Sequence, residues 1–231
     1  MPENYAKQLA RIGLEMGAIK INSSSPFVWS SGYRMPIYND SRLFLGNYRN
    51  RELVSEGFQR AIVSNSISYD IIFGVATAGI SPATTLADSL KTDLGYVRSV
   101  PKDHGLGKQV EGPSPNGKTV LLIEELISTG RSSARAVQAL RNEGATVNHC
   151  LCIFDYGFKE SQKIFDGLET FDKEDTLTTP CQVISLFDYD VVIDTAIEIN
   201  CVSDSEIGVL RGWKQDPLNW GRLHGFRKIE R

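Results

Sequence analysis

The chain has no Gly-x-x-x-x-Gly-Lys-[Ser/Thr] loop, which excludes nucleotide binding of the P-loop kind. It also lacks a dinucleotide fingerprint, because Gly105-Leu106-Gly107 is followed by Val110 where a third glycine would have to stand. No apolar run approaches the length of a membrane span. Cysteine is scarce, with four in 231 residues, and Cys150, Cys152, Cys181 and Cys201 show no zinc-ligand spacing. Cys150 and Cys152, two apart in an apolar run, read as small core residues on one face of a strand. Nor does one sign of charge dominate: a net charge of −3 gives no field to gather nucleic acid or an anionic membrane. Glu3, Lys7 and Arg11 interrupt the opening segment, so no secretion signal is read there, and a cytoplasmic, reducing compartment is expected.

What is present is ordinary globular composition, 41% hydrophobic and 23% charged, enough for one domain over 1–231. Leu9, Ile12 and Met16 predict a helix from Asn4 to Gly17. Phe27-Val28-Trp29 and Pro36-Ile37-Tyr38, separated by Ser30-Ser31-Gly32, read as a hairpin. A helix follows over Asn50 to Ile67, with Leu53, Phe58, Ile62 and Val63 inward. Strands are expected at Ile71–Val75, Leu94–Val97, Val120–Ile123 and Val147–Phe154, with helices at Ser81–Leu90 and Ser133–Arg141. This alternation predicts an α/β fold, a central, mostly parallel sheet flanked by helices, with ligands at the carboxyl ends of its strands.

Two segments carry chemistry. In Thr119 to Ser133 a buried apolar strand runs into Glu124-Glu125 and then into Ser128-Thr129-Gly130-Arg131-Ser132 at the opening of a helix. Acids at a strand end are costly to bury, so they face water or hold something. The small residues after them can present backbone N–H groups where the helix dipole favours an anion. Carboxylates beside an anion cradle suit a sugar phosphate. The second segment, Tyr96 to Gly112, bears Arg98, Lys102, His104 and Lys108 on a polar, glycine-broken stretch without hydrophobic periodicity. Such a segment reads as a mobile loop able to close over an anionic leaving group.

The first segment resembles the ribose-phosphate signature of the type I phosphoribosyltransferases, which use phosphoribosyl pyrophosphate (PRPP). The second, Arg98-x-x-x-Lys102-Asp103-His104-Gly105, resembles the catalytic loop of the orotate-specific branch. Ser25 to Gly32 with Pro36 to Arg42, the Gly74 to Ile80 run, and Leu210 to Pro217 are similar to further motifs of that branch, in the same order. The resemblance implies that Arg98, Lys102 and His104 contact pyrophosphate and act in catalysis. It implies that Glu124 and Glu125 take the ribose hydroxyls, and that the stretch Leu126, Ile127, Ser128, Thr129, Gly130, Arg131 and Ser132 binds the rest of PRPP. Ser128 and Tyr38 would contact orotate. Mg²⁺ would be the cofactor, held mainly through PRPP and water rather than by a protein cage. The family resemblance further implies a hood built from the N- and C-terminal segments, and a homodimer whose catalytic loop acts in trans.

Three departures stand out. Ser99 and Val100 replace a loop lysine, Ala78 replaces a lysine of the pyrophosphate loop, and Asp155-Tyr156-Gly157 stands where some members have an arginine. The rival readings are transfer to another base and a non-catalytic PRPP sensor. A sensor would need a nucleic-acid surface, for which the basic and aromatic tail from Arg211 to Lys228 is the candidate; packing of Trp213 and Trp220 on the body is its alternative reading.

Overall fold

The computed structural model describes residues 3–29, 31–99, 109–167, 169 and 175–229. Its centre is a six-stranded sheet built on apolar runs too short for helices. In chain order the elements are α1 (Glu3–Glu15), β1 (Ile19–Ile21), β2 (Phe27–Val28), β3 (Arg34–Met35), β4 (Ile37–Asn39), a 3₁₀ turn (Ser41–Gly46) and α2 (Tyr48–Ser64). Then come β5 (Ile71–Val75), α3 (Ile80–Leu90), β6 (Leu94–Val97), β7 (Val110–Glu111), β8 (Thr119–Ile127), α4 (Arg131–Asn142) and β9 (Thr146–Asp155). The described chain closes with α5 (Lys159–Phe165), β10 (Gln182–Asp188), α6 (Tyr189–Glu198), α7 (Asp204–Gln215) and α8 (Pro217–Leu223).

The sheet order is β10-β9-β8-β5-β6-β7, parallel except for β7 against β6. All five residues of β5 are buried, as a strand covered on both faces requires. Alternation along the strands feeds two cores. Ile72, Leu121 and Ile123 meet Leu9, Phe58, Leu86 and Val192 on one face. Ile71, Phe73 and Leu122 meet Val137, Leu140 and Ile164 of α4 and α5 on the other. Cys150 and Cys152 both lie in this second core, fully buried, as expected.

Three expectations need correction. β2 pairs with Arg34–Met35, whereas Ile37–Asn39 turns back onto Ile19–Ile21. The tight turn closed by Gly32 N to Trp29 O at 2.8 Å leaves short arms, and Pro36, with no N–H, separates the two ladders. β8 runs past the acids to Ile127, because the long neighbour β9 continues the ladder through Glu124↔Cys152 and Ile127↔Asp155. Val63 is 77% exposed, since the inward stripe of α2 is Val54, Phe58 and Ala61, and Val63 lies on the opposite side of the turn. Trp213 and Trp220 are buried, so the tail packs on the body.

Candidate active site

The carboxyl ends of β5, β8 and β9 converge on one rim of the sheet. At β8 the strand breaks at Ser128, and Gly130 adopts φ +78 before α4 begins. A Cβ there would stand 2.7 Å from Ser161 Oγ, so both the backbone angle and the space call for glycine. Gly130 gives α4 no side-chain cap. The first turn of α4 therefore opens on backbone N–H groups, the kind of helix end that suits an anion. Alongside, the turn Ala76–Gly79 after β5 contains a cis Ala76–Thr77 peptide. Gly79 is packed so that an added Cβ would meet Ile123 O at 2.6 Å.

The two acids have different surroundings. Glu124 turns beneath the start of α4, where Oε2 accepts from Ser133 Oγ at 3.0 Å and Oε1 from Glu125 N at 2.8 Å. It is 7% exposed, and burial pushes its carboxyl up to about 7 against the pull of those two bonds. Glu125 faces the other way, half-buried beside Arg42 and Asp40. Burial raises its carboxyl, and Arg42 opposes the rise. Arg131 swings its side chain onto α5, with Nη2 to Glu160 Oε1 at 2.7 Å. Leu126 reaches the cavity below, while Ile127 packs into the second core.

A cavity of about 480 Å³ opens beside this rim. It is lined by Trp29, Tyr38, Asn39, Arg42, Ser128 and Tyr156, with Val28 and Leu126. The Trp29 and Tyr156 rings lie 4.9 Å apart, and Trp29 Nε1 donates to Ile37 O at 3.0 Å, which fixes the indole as a wall. Tyr38 and Ser128 thus meet in one cavity. Arg98, at the end of β6, is half-exposed, with Nη1 3.8 Å from Glu111 Oε1. Lys102 and His104 lie outside the described residues. Sequence reasoning missed Trp29, Asn39, Arg42 and Tyr156 as lining residues. The available signal was topological: Tyr156 follows the carboxyl end of β9, and Asn39 to Arg42 continue directly from Tyr38.

Residues 47–183 match the phosphoribosyl transferase domain family. The chain belongs to the phosphoribosyltransferase family. Its curated relatives are more specific. It is 38% identical to the orotate phosphoribosyltransferase of Listeria innocua over 216 residues, spanning 94% of this chain and 98% of that one. It is 35% identical to that of Coxiella burnetii over 217 residues, spanning 94% and 99%. The solved orotate phosphoribosyltransferase of Aeropyrum pernix superposes with a TM-score of 0.67 at 26% identity, covering 84% of this chain and 99% of that one. The resemblance to orotate phosphoribosyltransferases, and the α/β fold it implied, are borne out.

Proposed function

We propose that the chain transfers the 5-phosphoribosyl group from PRPP to N1 of orotate, releasing pyrophosphate and giving orotidine 5′-monophosphate in pyrimidine biosynthesis. The observation that carries this reading is the juxtaposition at the end of β8. A helix start without a side-chain cap, suited to phosphate, adjoins an aromatic-walled cavity with room for a pyrimidine and part of its sugar. The 5′-phosphate sits on the first-turn amides of α4 with the hydroxyls of Ser128, Thr129 and Ser132. Glu125 receives the ribose hydroxyls. Glu124 acts indirectly, holding Ser133 and hence the loop in place. Tyr38, Trp29 and Tyr156 bound the ring plane, and Ser128 reaches both ligands. The sugar carbon gains oxocarbenium character as pyrophosphate departs, so charge accumulates on the leaving group. Arg98, with Lys102 and His104, stabilises that charge.

Among the described residues no cluster of three or more His, Cys, Asp or Glu could hold a metal ion. Mg²⁺ would arrive on pyrophosphate oxygens and water, and would supply charge neutralisation to the leaving group. We further propose one catalytic domain over 1–231, with β1–β4 and α7–α8 forming the hood, and a homodimer in which the Arg98–Lys108 segment serves the partner's site. A cytoplasmic setting belongs to the same proposal, supported by free thiols at Cys150, Cys152, Cys181 and Cys201. No described helix is long and apolar enough to cross a membrane. The test is to offer orotate, uracil, hypoxanthine and adenine in turn with PRPP and Mg²⁺. Turnover of orotate alone is expected; PRPP binding without turnover of any base would contradict the reading.

A further inference from the structure

The aromatic cavity presents two hydrogen-bond donors that phosphoribosyl binding leaves unused. Asn39 is 8% exposed, and its Oδ1 accepts from Ser41 Oγ at 3.3 Å. Its Nδ2 is buried with no hydrogen-bond partner among the described residues. A buried donor left unpaired is costly, so this amide calls for an acceptor such as a bound ligand would bring. The second donor is Arg42. Its Nε and Nη2 meet Asp40 Oδ1 and Oδ2 at 2.6 and 2.9 Å, a two-point pairing that occupies one edge of the guanidinium. A guanidinium has five N–H donors, and the Nη1–Nη2 edge left over has the fork spacing that matches a carboxylate. No further hydrogen bond engages that edge among the described residues. Asp40 and Glu125 both favour the charged form of Arg42. Of the described residues lining the cavity, Arg42 alone is cationic. Tyr156, which follows β9 and lines the same cavity, is a buried ring with no charge to offer.

Resting on the function proposed above, we infer that Arg42 receives the carboxylate of the pyrimidine substrate while Asn39 Nδ2 donates to a ring carbonyl oxygen. Asp40 is the positioning residue that aims the free edge of Arg42 into the cavity. Base choice then resides in the Asn39-Asp40-Ser41-Arg42 run, apart from the phosphate loop. The two donors make separable predictions.

The experiment compares orotate with its uncharged carboxamide in wild type, R42Q, R42K and N39A, using fixed saturating PRPP and Mg²⁺. Wild type should favour orotate strongly. R42Q should raise the KM for orotate about ten- to a hundredfold, the range of a charge-assisted pair, and bring the preference for orotate over the carboxamide close to one. R42K should restore part of that preference. N39A should weaken both bases by a similar factor of about ten and keep the preference. The KM for PRPP should stay within about twofold of wild type in R42Q. Equal use of orotate and carboxamide by the wild type would overturn the inference without any variant. So would an R42Q enzyme that keeps both its orotate KM and its preference. A wild type that turns over no orotate at all would remove the underlying function as well, which separates the two failures.

Discussion

At the scale of single residues, Glu124 and Glu125 stand in different surroundings despite their adjacency in sequence. Alternation along β8 sends Glu124 under α4 and Glu125 toward Arg42. Burial raises the Glu124 carboxyl from 4.5 to about 7, so the folded state holds its proton more tightly than the unfolded chain. The associated stability is complete below the unfolded value and fades as pH climbs through the folded one. Wild type should therefore lose up to about 3 kcal/mol between pH 4.5 and pH 8 from this group. Glu124→Gln should remove that slope, and urea unfolding across the pH range measures it. Parallel pH profiles for the two proteins would show that Glu124 ionises freely in the fold.

At the scale of elements, β8, its turn and α4 form the unit on which the site is built. Gly130→Ala forces φ +78 on a residue with a Cβ and crowds Ser161. A loss of about 1–3 kcal/mol is expected, along with weaker PRPP binding. Gly212→Ala on the exposed face of α7 meets nothing within 4 Å and serves as control, with a gain of about 0.5–1 kcal/mol. A comparable gain in both would show that neither the φ of Gly130 nor its contact with Ser161 resists a side chain. The sequence made β5, β6, β8, β9, α3 and α4 legible, because buried parallel strands and amphipathic helices write strong periodic patterns. It did not reveal that β8 extends to Ile127, since that end is set by hydrogen bonds to β9 rather than by apolar content. The pairing of Ile37–Asn39 with Ile19–Ile21 was hidden for a similar reason: two- and three-residue strands carry no period to read. The anion loop was legible as a motif, whereas the cavity was not. Its walls come from β2, β4, β8 and the segment after β9, which only the fold brings together.

At the scale of the whole molecule, the proposed homodimer would distribute one reaction over two copies of the chain. Lys102→Ala and Glu125→Gln should each abolish most turnover alone. Mixed as denatured chains and refolded together, they should recover about a quarter of wild-type activity, because half of the random dimers carry one site free of both changes. Absence of recovery would place Lys102 in its own subunit's site. The central claim is that the start of α4 grips the phosphate of PRPP. Ser132, exposed in its first turn, permits a direct test. Ser132→Glu puts a carboxylate where the helix dipole welcomes it, so stability should hold or rise by about 0.3–1 kcal/mol. The same carboxylate repels the incoming phosphate. Calorimetric titration with PRPP and Mg²⁺ should show binding to the wild type and a loss of at least about a hundredfold in the variant. Unchanged PRPP affinity in a folded Ser132→Glu protein would contradict the account.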